Sequence, residues 1–233
     1  MGELSQQAKL LKKKLRESLT PKKWDFKGFD SVILKYPNDD EKIEFLVKSL
    51  ADIKPIKSLQ LLFRGSKDGF KASTFHEKCD NIDDTVVIVR TDGETNNTVA
   101  GYSHYRWNEV NNNYVNDAGK KTFLLQLNRR EKFVPQNGNH LIYCSNSYGP
   151  IFGRGHDLCI WDDCNSNNNS SSFFPYTYNF EGPNKIWRNQ QSITDFSGAT
   201  KGTFRVIDYE VFKVVFRWLL IIIINLLVQF DCI

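Results

Sequence analysis

A succession of apolar segments, separated by polar turns, runs from Thr85 to Phe216. Each segment is rich in β-branched and aromatic residues, which favour strands. No helical pattern alternates with them, so the sequence disfavours a parallel α/β sheet. It predicts an α+β, mainly β fold: a two-sheet antiparallel β-sandwich flanked by short helices. The predicted strands are Thr85–Arg90, Val99–Trp107, Thr122–Leu127, His140–Ser145, Asp157–Asp162 and Phe204–Phe216.

The last of these strands changes phase along its length. Phe204 and Val206 share one face of an extended chain, whereas Tyr209 and Val211 have the opposite parity. A β-bulge near Asp208 would bring all four side chains to one face.

Helical patterns precede the predicted strands. Gln6–Leu19 is a basic amphipathic stretch with its leucines on one face. A second helix is predicted where apolar residues recur at helical spacing, at Ile43, Leu46, Val47 and Leu50.

A third, short helix is predicted from Ala72 to Cys79. Thr74 and Glu77 match a capping box there, and Phe75 and Cys79 fall on a shared face. These patterns divide the chain into a helical lead-in at 1–57, a β-sandwich domain at 58–214 and an apolar tail at 215–233.

The basic residues of the chain are concentrated at its beginning. The net charge is +4, and the first two dozen residues include Lys9, Lys12, Lys13, Lys14, Arg16, Lys22 and Lys23. The rest of the chain is therefore close to neutral, which argues against nucleic acid as a partner. The basic helix is either a solvated helix that docks loosely on the body or a helix that binds a membrane surface or a partner protein.

The tail allows three interpretations. Its strongly apolar part, Trp218–Phe230, is shorter than the roughly 17–20 residues that a helix needs to cross a bilayer. It is a docked extension, a tail anchor flanked by Lys213 and Arg217, or a non-native end.

The chain has 5 cysteines, no Cys-x-x-Cys pair and no apolar leader at its start. This pattern predicts free thiols in a reducing compartment, and hence a cytoplasmic location. Contact with a membrane stays open through the basic helix or the tail.

Neither a metal nor another cofactor is predicted. His76 and Cys79 lie three positions apart on a predicted helix and could face one ion. His156 and Cys159 have the same spacing on a predicted strand, where they point to opposite faces. Without a paired Cys-x-x-Cys, the sequence favours buried thiols and polar histidines.

The stretch Tyr148–Asn165, "YGPIFGRGHDLCIWDDCN", is the densest in candidate chemistry. Its "FGRGHD" leads into a strand and lacks a Walker lysine, which disfavours a phosphate loop. Gly149, Gly153 and Gly155 are instead interpreted as turn glycines with positive φ. No Gly-x-Ser-x-Gly elbow is present, and adjacent His156 and Asp157 diverge on a strand.

Several stretches together resemble the TLDc domain, the TBC/LysM-associated domain of oxidation-resistance proteins. "LLFRGSKDGFKASTFHEKCDN" resembles its opening, and "VAGYSHYRW" its glycine-tyrosine strand. "YGPIFGRGHDLCIWDDCN" resembles its His-Asp-Leu signature, and "FRVIDYEVFKV" its closing strand. Arg154 departs from the pattern, because the family usually has glycine at that position.

The resemblance implies a two-sheet sandwich with no established reaction. It also implies a role in oxidative-stress protection or in binding the vacuolar proton pump (V-ATPase). The matching residues, expected to serve architecture and recognition, are Arg64, Gly65, Ser66, Asp68, Gly69, His76, Cys79, Asp80, Gly101, Gly149, Gly153, Gly155, His156, Asp157 and Glu210.

More specific expectations attach to some of these residues. Tyr148–Gly155 would form a compact turn, and Leu158 and Ile160 would enter the core. His156 and Asp157 would tie loops by hydrogen bonds, and Arg64 would pair with Glu210.

Two alternatives to protein binding stay open. One is a hydrolase-type enzyme using His156 with the carboxylates Asp157 and Glu210. The other is protection by thiol oxidation, which requires Cys79 or Cys164 to be exposed and to have a low pKa.

Overall fold

Two antiparallel sheets pack face to face in the computed structural model, which describes residues 29–35, 37–93, 97–180, 196–199 and 202–217. The predicted fold class, a mainly β sandwich with short helices, is confirmed. The predicted basic helix at 6–19, the apolar tail from Trp218 onward and Cys232 lie outside the described residues.

The large sheet has seven strands in the order β1-β13-β2-β3-β5-β6-β11. They are Ile56–Arg64 (β1), Thr85–Thr91 (β2), Thr98–Ser103 (β3), Thr122–Gln126 (β5), Glu131–Pro135 (β6), Tyr178–Phe180 (β11) and Val206–Phe216 (β13).

The small sheet has six strands in the order β12-β10-β9-β8-β7-β4. All are short: Asn113–Tyr114 (β4), Ile142–Cys144 (β7), Ile151–Phe152 (β8), Leu158–Cys159 (β9), Ser170–Ser171 (β10) and Thr203–Phe204 (β12).

The described helices are Asp40–Ala51 (α1), Gly65–Asp68 (α2) and Ala72–Cys79 (α3). The first confirms the predicted second helix, and Ile43, Leu46 and Leu50 are its buried apolar side chains. No helix within the described ranges is long and apolar enough to cross a membrane.

The large sheet is buried on both faces. Successive side chains of its central strands point to opposite sides, and each side is covered by a core. On β2, Val87 and Val89 enter an inner core shared with the small sheet, whereas Val86 and Ile88 enter an outer core beneath α1. This explains why the sequence of β2 is continuously apolar.

The two sheets approach closely at Gly101 of β3. A Cβ there would lie 2.5 Å from ring atoms of Phe152 in β8, so any side chain would displace that ring. Trp107 packs edge-on against Phe152 at 5.4 Å between ring centroids. Gly101 therefore allows the two sheets to pack at this short distance.

The predicted bulge near Asp208 is confirmed. The register of β13 against β2 shifts between Val206 and Asp208. Val206, Tyr209 and Val211 accordingly all belong to the inner core. Phe204 also enters the inner core, but from β12, because the predicted strand Phe204–Phe216 is divided at Arg205 between the two sheets.

Several predicted strands are shorter than expected. Val99–Trp107 pairs only as far as Ser103, His140–Ser145 only over Ile142–Cys144, and Asp157–Asp162 only over Leu158–Cys159. Beyond these points single backbone hydrogen bonds and side-chain contacts continue the connection. For example, the indole N–H of Trp107 donates to Thr85 Oγ1 at 3.1 Å.

The predicted capping box of α3 is wrong. The helix begins at Ala72 with Lys71 as its N-cap residue, so Thr74 already lies inside the first turn. The carboxylate of Asp162, which is distant in sequence, accepts the N–H of Ala72 at 2.7 Å. This bond gives a partner to one of the free N–H groups at the start of the helix. Phe75 and Cys79 do share a buried face, as predicted.

Candidate functional site

The residues expected from the resemblance occupy separate places in the fold. Arg64, Gly65, Ser66, Asp68, Gly69 and Glu210 lie where β1 ends beside β13. His76 and Cys79 lie on α3, with Asp80 directly after it. Gly149, Gly153, Gly155, His156 and Asp157 surround the hairpin of β8 and β9. Gly101 lies at the sheet interface described above.

Glu210 is a fully buried carboxylate on β13. Its Oε1 accepts the Nε–H of Arg64 at 2.7 Å, which confirms the predicted pair. It also accepts the N–H of Val32 at 2.9 Å, and its Oε2 accepts the hydroxyl of Ser31 at 2.5 Å. Both oxygens of the buried carboxylate thus have hydrogen-bond donors from the protein.

The turn at α2 is built around two aspartates. Asp208 Oδ1 accepts the N–H of Ser66 at 2.9 Å, and Asp68 Oδ2 accepts the N–H of Arg64 at 2.9 Å. Burial raises the pKa of Asp68, but the Arg64 N–H and the ammonium of Lys78 lower it, so that its net pKa is below the usual value. These residues fix the end of β1.

His76 fastens α3 to the loop after β7. Its Nδ1 lies 2.8 Å from Asp80 Oδ1, and its Nε2 lies 2.9 Å from the carbonyl oxygen of Tyr148 and 3.1 Å from that of Ser145. Both ring nitrogens thus have acceptors within hydrogen-bond reach. Within the described ranges no cluster of three or more potential metal ligands occurs.

The described cysteines are free thiols, as predicted, and all are buried: Cys79, Cys144, Cys159 and Cys164. Burial raises the pKa of Cys79 well above that of a free thiol and raises the pKa of Cys164 to about 12. The thiolate is the reactive form, so neither residue meets the requirement for a sacrificial thiol.

The turn between β8 and β9 differs from the expected one. Ile151 and Phe152 pair as a strand, so the turn is confined to Gly153–His156. Gly153 and Gly155 have positive φ as predicted, whereas Gly149 does not. His156 also has positive φ, at 66°, and Arg154 does not, which fits a non-glycine residue at that position.

Gly149 lies close to Ile160, because a Cβ there would be 3.2 Å from it, tighter than an ordinary van der Waals contact. The N–H of Gly149 donates to the carbonyl of Ile160 at 2.9 Å. Leu158 and Ile160 both enter the inner core, as predicted.

Asp157 ties the hairpin to a distant loop. Its carboxylate accepts the backbone N–H groups of Tyr176 at 2.5 Å, Thr177 at 2.7 Å and Tyr178 at 3.3 Å. Burial raises the pKa of Asp157 to about 7, against the opposing effect of these N–H donors. A Cβ at Gly153 would lie 2.0 Å from Asp157 Oδ2, so that glycine makes room for the carboxylate.

His156 contributes to the same tie through its backbone, because its carbonyl accepts the N–H of Phe173 at 2.9 Å. Burial lowers the pKa of His156, which favours the neutral imidazole. The expectation that both residues tie loops is thus confirmed, with the carboxylate and a main-chain carbonyl as the acceptors.

The loop held in this way presents two aromatic side chains to solvent. Phe173 is 48% exposed and Tyr176 is 56% exposed. Tyr176 lies over Gly155, where a Cβ would be 3.0 Å from its ring, and Phe173 lies in the same way over Gly202. Because glycine has no side chain, each ring can pack directly on the backbone of the turn.

The candidate catalytic groups do not share a site in the described structure. The donors to Glu210 come from Ser31, Val32 and Arg64. The donors to Asp157 come from Tyr176–Tyr178. No described residue bonds to both carboxylates, and each carboxylate is occupied by donors of the protein itself.

Sequence reasoning missed the partners of these carboxylates. Tyr176, Thr177, Tyr178 and Val32 contribute backbone N–H groups, for which no residue type is diagnostic. Ser31 and Asp208 contribute side chains, but only the folded chain brings them to Glu210 and Ser66.

The model of the TLDc domain matches residues 37–215. The match includes α1 as well as both sheets. A search of the curated proteins finds no match.

Proposed function

The chain belongs to the TLDc domain family, and from that premise we propose that it acts by binding another protein and catalyses no reaction. The family is associated in general with oxidative stress. The proposed partner is a subunit of the vacuolar proton pump (V-ATPase), met at the cytoplasmic side. Binding there would regulate the pump when cells are oxidised.

One observation carries the proposal. The polar side chains of the resemblance are hydrogen-bonded inside the domain. The loop that Asp157 and His156 hold carries exposed aromatic rings. Asp157 is fully buried beneath the loop, whereas Phe173 and Tyr176 are about half exposed on top of it. Exposed aromatic residues on an ordered support are typical of interface hot spots.

The burial of the described thiols supports binding over chemical protection. A protein that consumed oxidant directly would need an accessible thiol of low pKa. Burial raises the pKa of Cys159 to about 12, and its side chain has no exposure to solvent.

The test uses the full chain, purified with an affinity tag, and purified V-ATPase subunits. We expect the double variant Phe173→Ser, Tyr176→Ser to lose at least ten-fold in affinity. The matched control is Ile207→Ser, because Ile207 is an apolar side chain on β13 whose exposed fraction, 43%, is close to that of Phe173. Absence of binding by the wild-type chain would reject the pump as partner, and equal binding by all variants would reject the loop as the interface.

The enzyme alternative is tested separately. The neutral imidazole of His156 is half-buried and could act as a base, which is the feature that favours this alternative. Activity profiling of the wild-type chain against ester, amide and phosphate substrates should give no turnover above the blank. A turnover that disappears in His156→Ala and in Glu210→Ala would contradict the proposal.

A further inference from the structure

Residues 29–34 lie on the domain as a short bent segment outside the helices and strands, here named the strap. The strap is held by side chains of the sandwich. Besides the two bonds to Glu210, the Nη2 of Arg64 donates to the carbonyl of Asp30 at 2.8 Å. The Nη2 of Arg90 donates to the carbonyl of Ile33 at 2.6 Å.

Apolar contacts complete the seat of the strap. The ring of Phe29 packs on Phe212 of β13 with 5.2 Å between centroids. Ile33 and Leu34 are each 1% exposed and belong to the outer core. The seat therefore recognises an aromatic residue, a hydroxyl two positions later, and aliphatic residues two and three positions beyond the hydroxyl.

The strap is attached to the sheets by side chains and not by strand pairing. Among the described residues, none of its backbone groups is hydrogen-bonded to the backbone of a strand. The match to the TLDc domain begins at residue 37, after the strap has ended. When the strap leaves, Glu210 keeps its bond to Arg64 at 2.7 Å, so the carboxylate is not left without a partner.

Ser31 is the most sensitive point of this arrangement. Its hydroxyl donates to Glu210 and accepts the N–H groups of Ile33 at 3.2 Å and Leu34 at 2.9 Å. A negative charge at this position would face the buried carboxylate directly, and like charges at such a distance repel strongly.

We propose that the seat of the strap is a docking groove for a short protein segment, closed in this chain by its own residues 29–34. Release of the strap opens the groove to a partner segment of the same pattern. The inference rests on the proposed function only in taking the partner to be a protein, and its test does not involve the proton pump.

The first measurement is hydrogen exchange of the wild-type full chain, which needs no variant to fold. We expect the amides of Val32, Ile33 and Leu34 to exchange at least ten-fold faster than those of Val87 and Val99 in the large sheet. Equal rates would mean that the strap opens only with global unfolding, and would overturn the proposal.

The second measurement is binding of a fluorescent peptide, FDSVILK, with the sequence of residues 29–35. The full chain carrying Ser31→Asp should bind it at least ten-fold more tightly than the wild-type chain, whose groove is occupied. Adding Glu210→Gln to that variant should abolish the gain, and the peptide carrying Ser31→Asp should not bind.

Val32→Pro offers a second way to open the groove, because proline has no N–H to donate to Glu210. Circular dichroism and thermal melting establish that each variant is folded. A folded variant with an open strap that does not bind the peptide would overturn the proposal, whatever the outcome of the pump experiment.

Discussion

The large and small sheets hold their shape by different means. The large sheet has long strands, such as the eleven residues of β13, and apolar side chains cover both of its faces. In the small sheet no strand exceeds three residues, and a buried carboxylate and loop contacts complete it. Five residues of the family resemblance, Gly149, Gly153, Gly155, His156 and Asp157, lie at the hairpin of the small sheet, where regular pairing is scarce.

The first prediction concerns the tie in the small sheet. Asp157→Ala leaves three backbone N–H groups of the loop without their acceptor. Each costs roughly 1–3 kcal/mol if it stays buried, so the free energy of unfolding should fall by about 4 kcal/mol. Denaturant unfolding measures this loss.

Asp163→Asn is the control for that variant, because Asp163 lies nearby in a turn and has positive φ, which asparagine tolerates. Its expected change is within about 0.5 kcal/mol. If Asp157→Ala cost no more than this control, the small sheet would not depend on the carboxylate.

The second prediction concerns the large sheet and uses two adjacent leucines of β5. Leu124 is buried in the inner core and Leu125 in the outer core. Leu124→Ala and Leu125→Ala should each lower the free energy of unfolding by about 3 kcal/mol. A sheet covered on one face only would give a large loss for one variant and almost none for the other.

The phase change in β13 could be predicted from the sequence because side chains on long strands alternate with a period of two. Val206, Tyr209 and Val211 indicate the bulge without any knowledge of the partner strand. The helix at Asp40–Ala51 could be predicted for the analogous reason, since its apolar residues follow a helical period.

The small sheet could be predicted only as a set of segments. Leu158–Cys159 and Ser170–Ser171 are strands of two residues, which are too short to show a period. Their positions depend on contacts far apart in sequence, such as Asp157 with Tyr176–Tyr178. The resemblance pointed to Asp157, but only the structure identifies the loop that it holds.

The third prediction is a pH dependence carried by Asp157. Its pKa is raised from 3.8 to about 7 in the folded chain, so the folded state binds the proton more tightly than the unfolded state. The contribution to stability is therefore greatest below about pH 4 and is lost as pH rises toward 7.

Asp157→Asn removes this titration. The difference in the free energy of unfolding between wild type and this variant should shrink by about 1–2 kcal/mol from pH 5 to pH 7, since one pKa unit corresponds to about 1.4 kcal/mol. Urea titrations at both pH values measure it. A difference that grew with pH would mean that the three N–H donors outweigh burial.

The fourth prediction, with the smallest expected effect, compares how readily each sheet opens locally. Cys159 on β9 reports on the small sheet, and the thiol introduced by Val87→Cys reports on the large one. Short ladders open more readily, so Cys159 should be labelled about ten-fold faster in dilute urea, a difference of about 1.4 kcal/mol. Equal labelling rates in pulsed alkylation would mean that both sheets open together.

Hydrogen exchange at the amides of Tyr176, Thr177 and Tyr178 tests most directly whether the His-Asp signature is architectural. In Asp157→Asn these three amides should exchange at least ten-fold faster than in the wild-type chain, while Val87 and Val99 in the large sheet keep their rates. Unchanged exchange at all three amides would contradict the account, because the buried carboxylate would then not be what holds the aromatic loop.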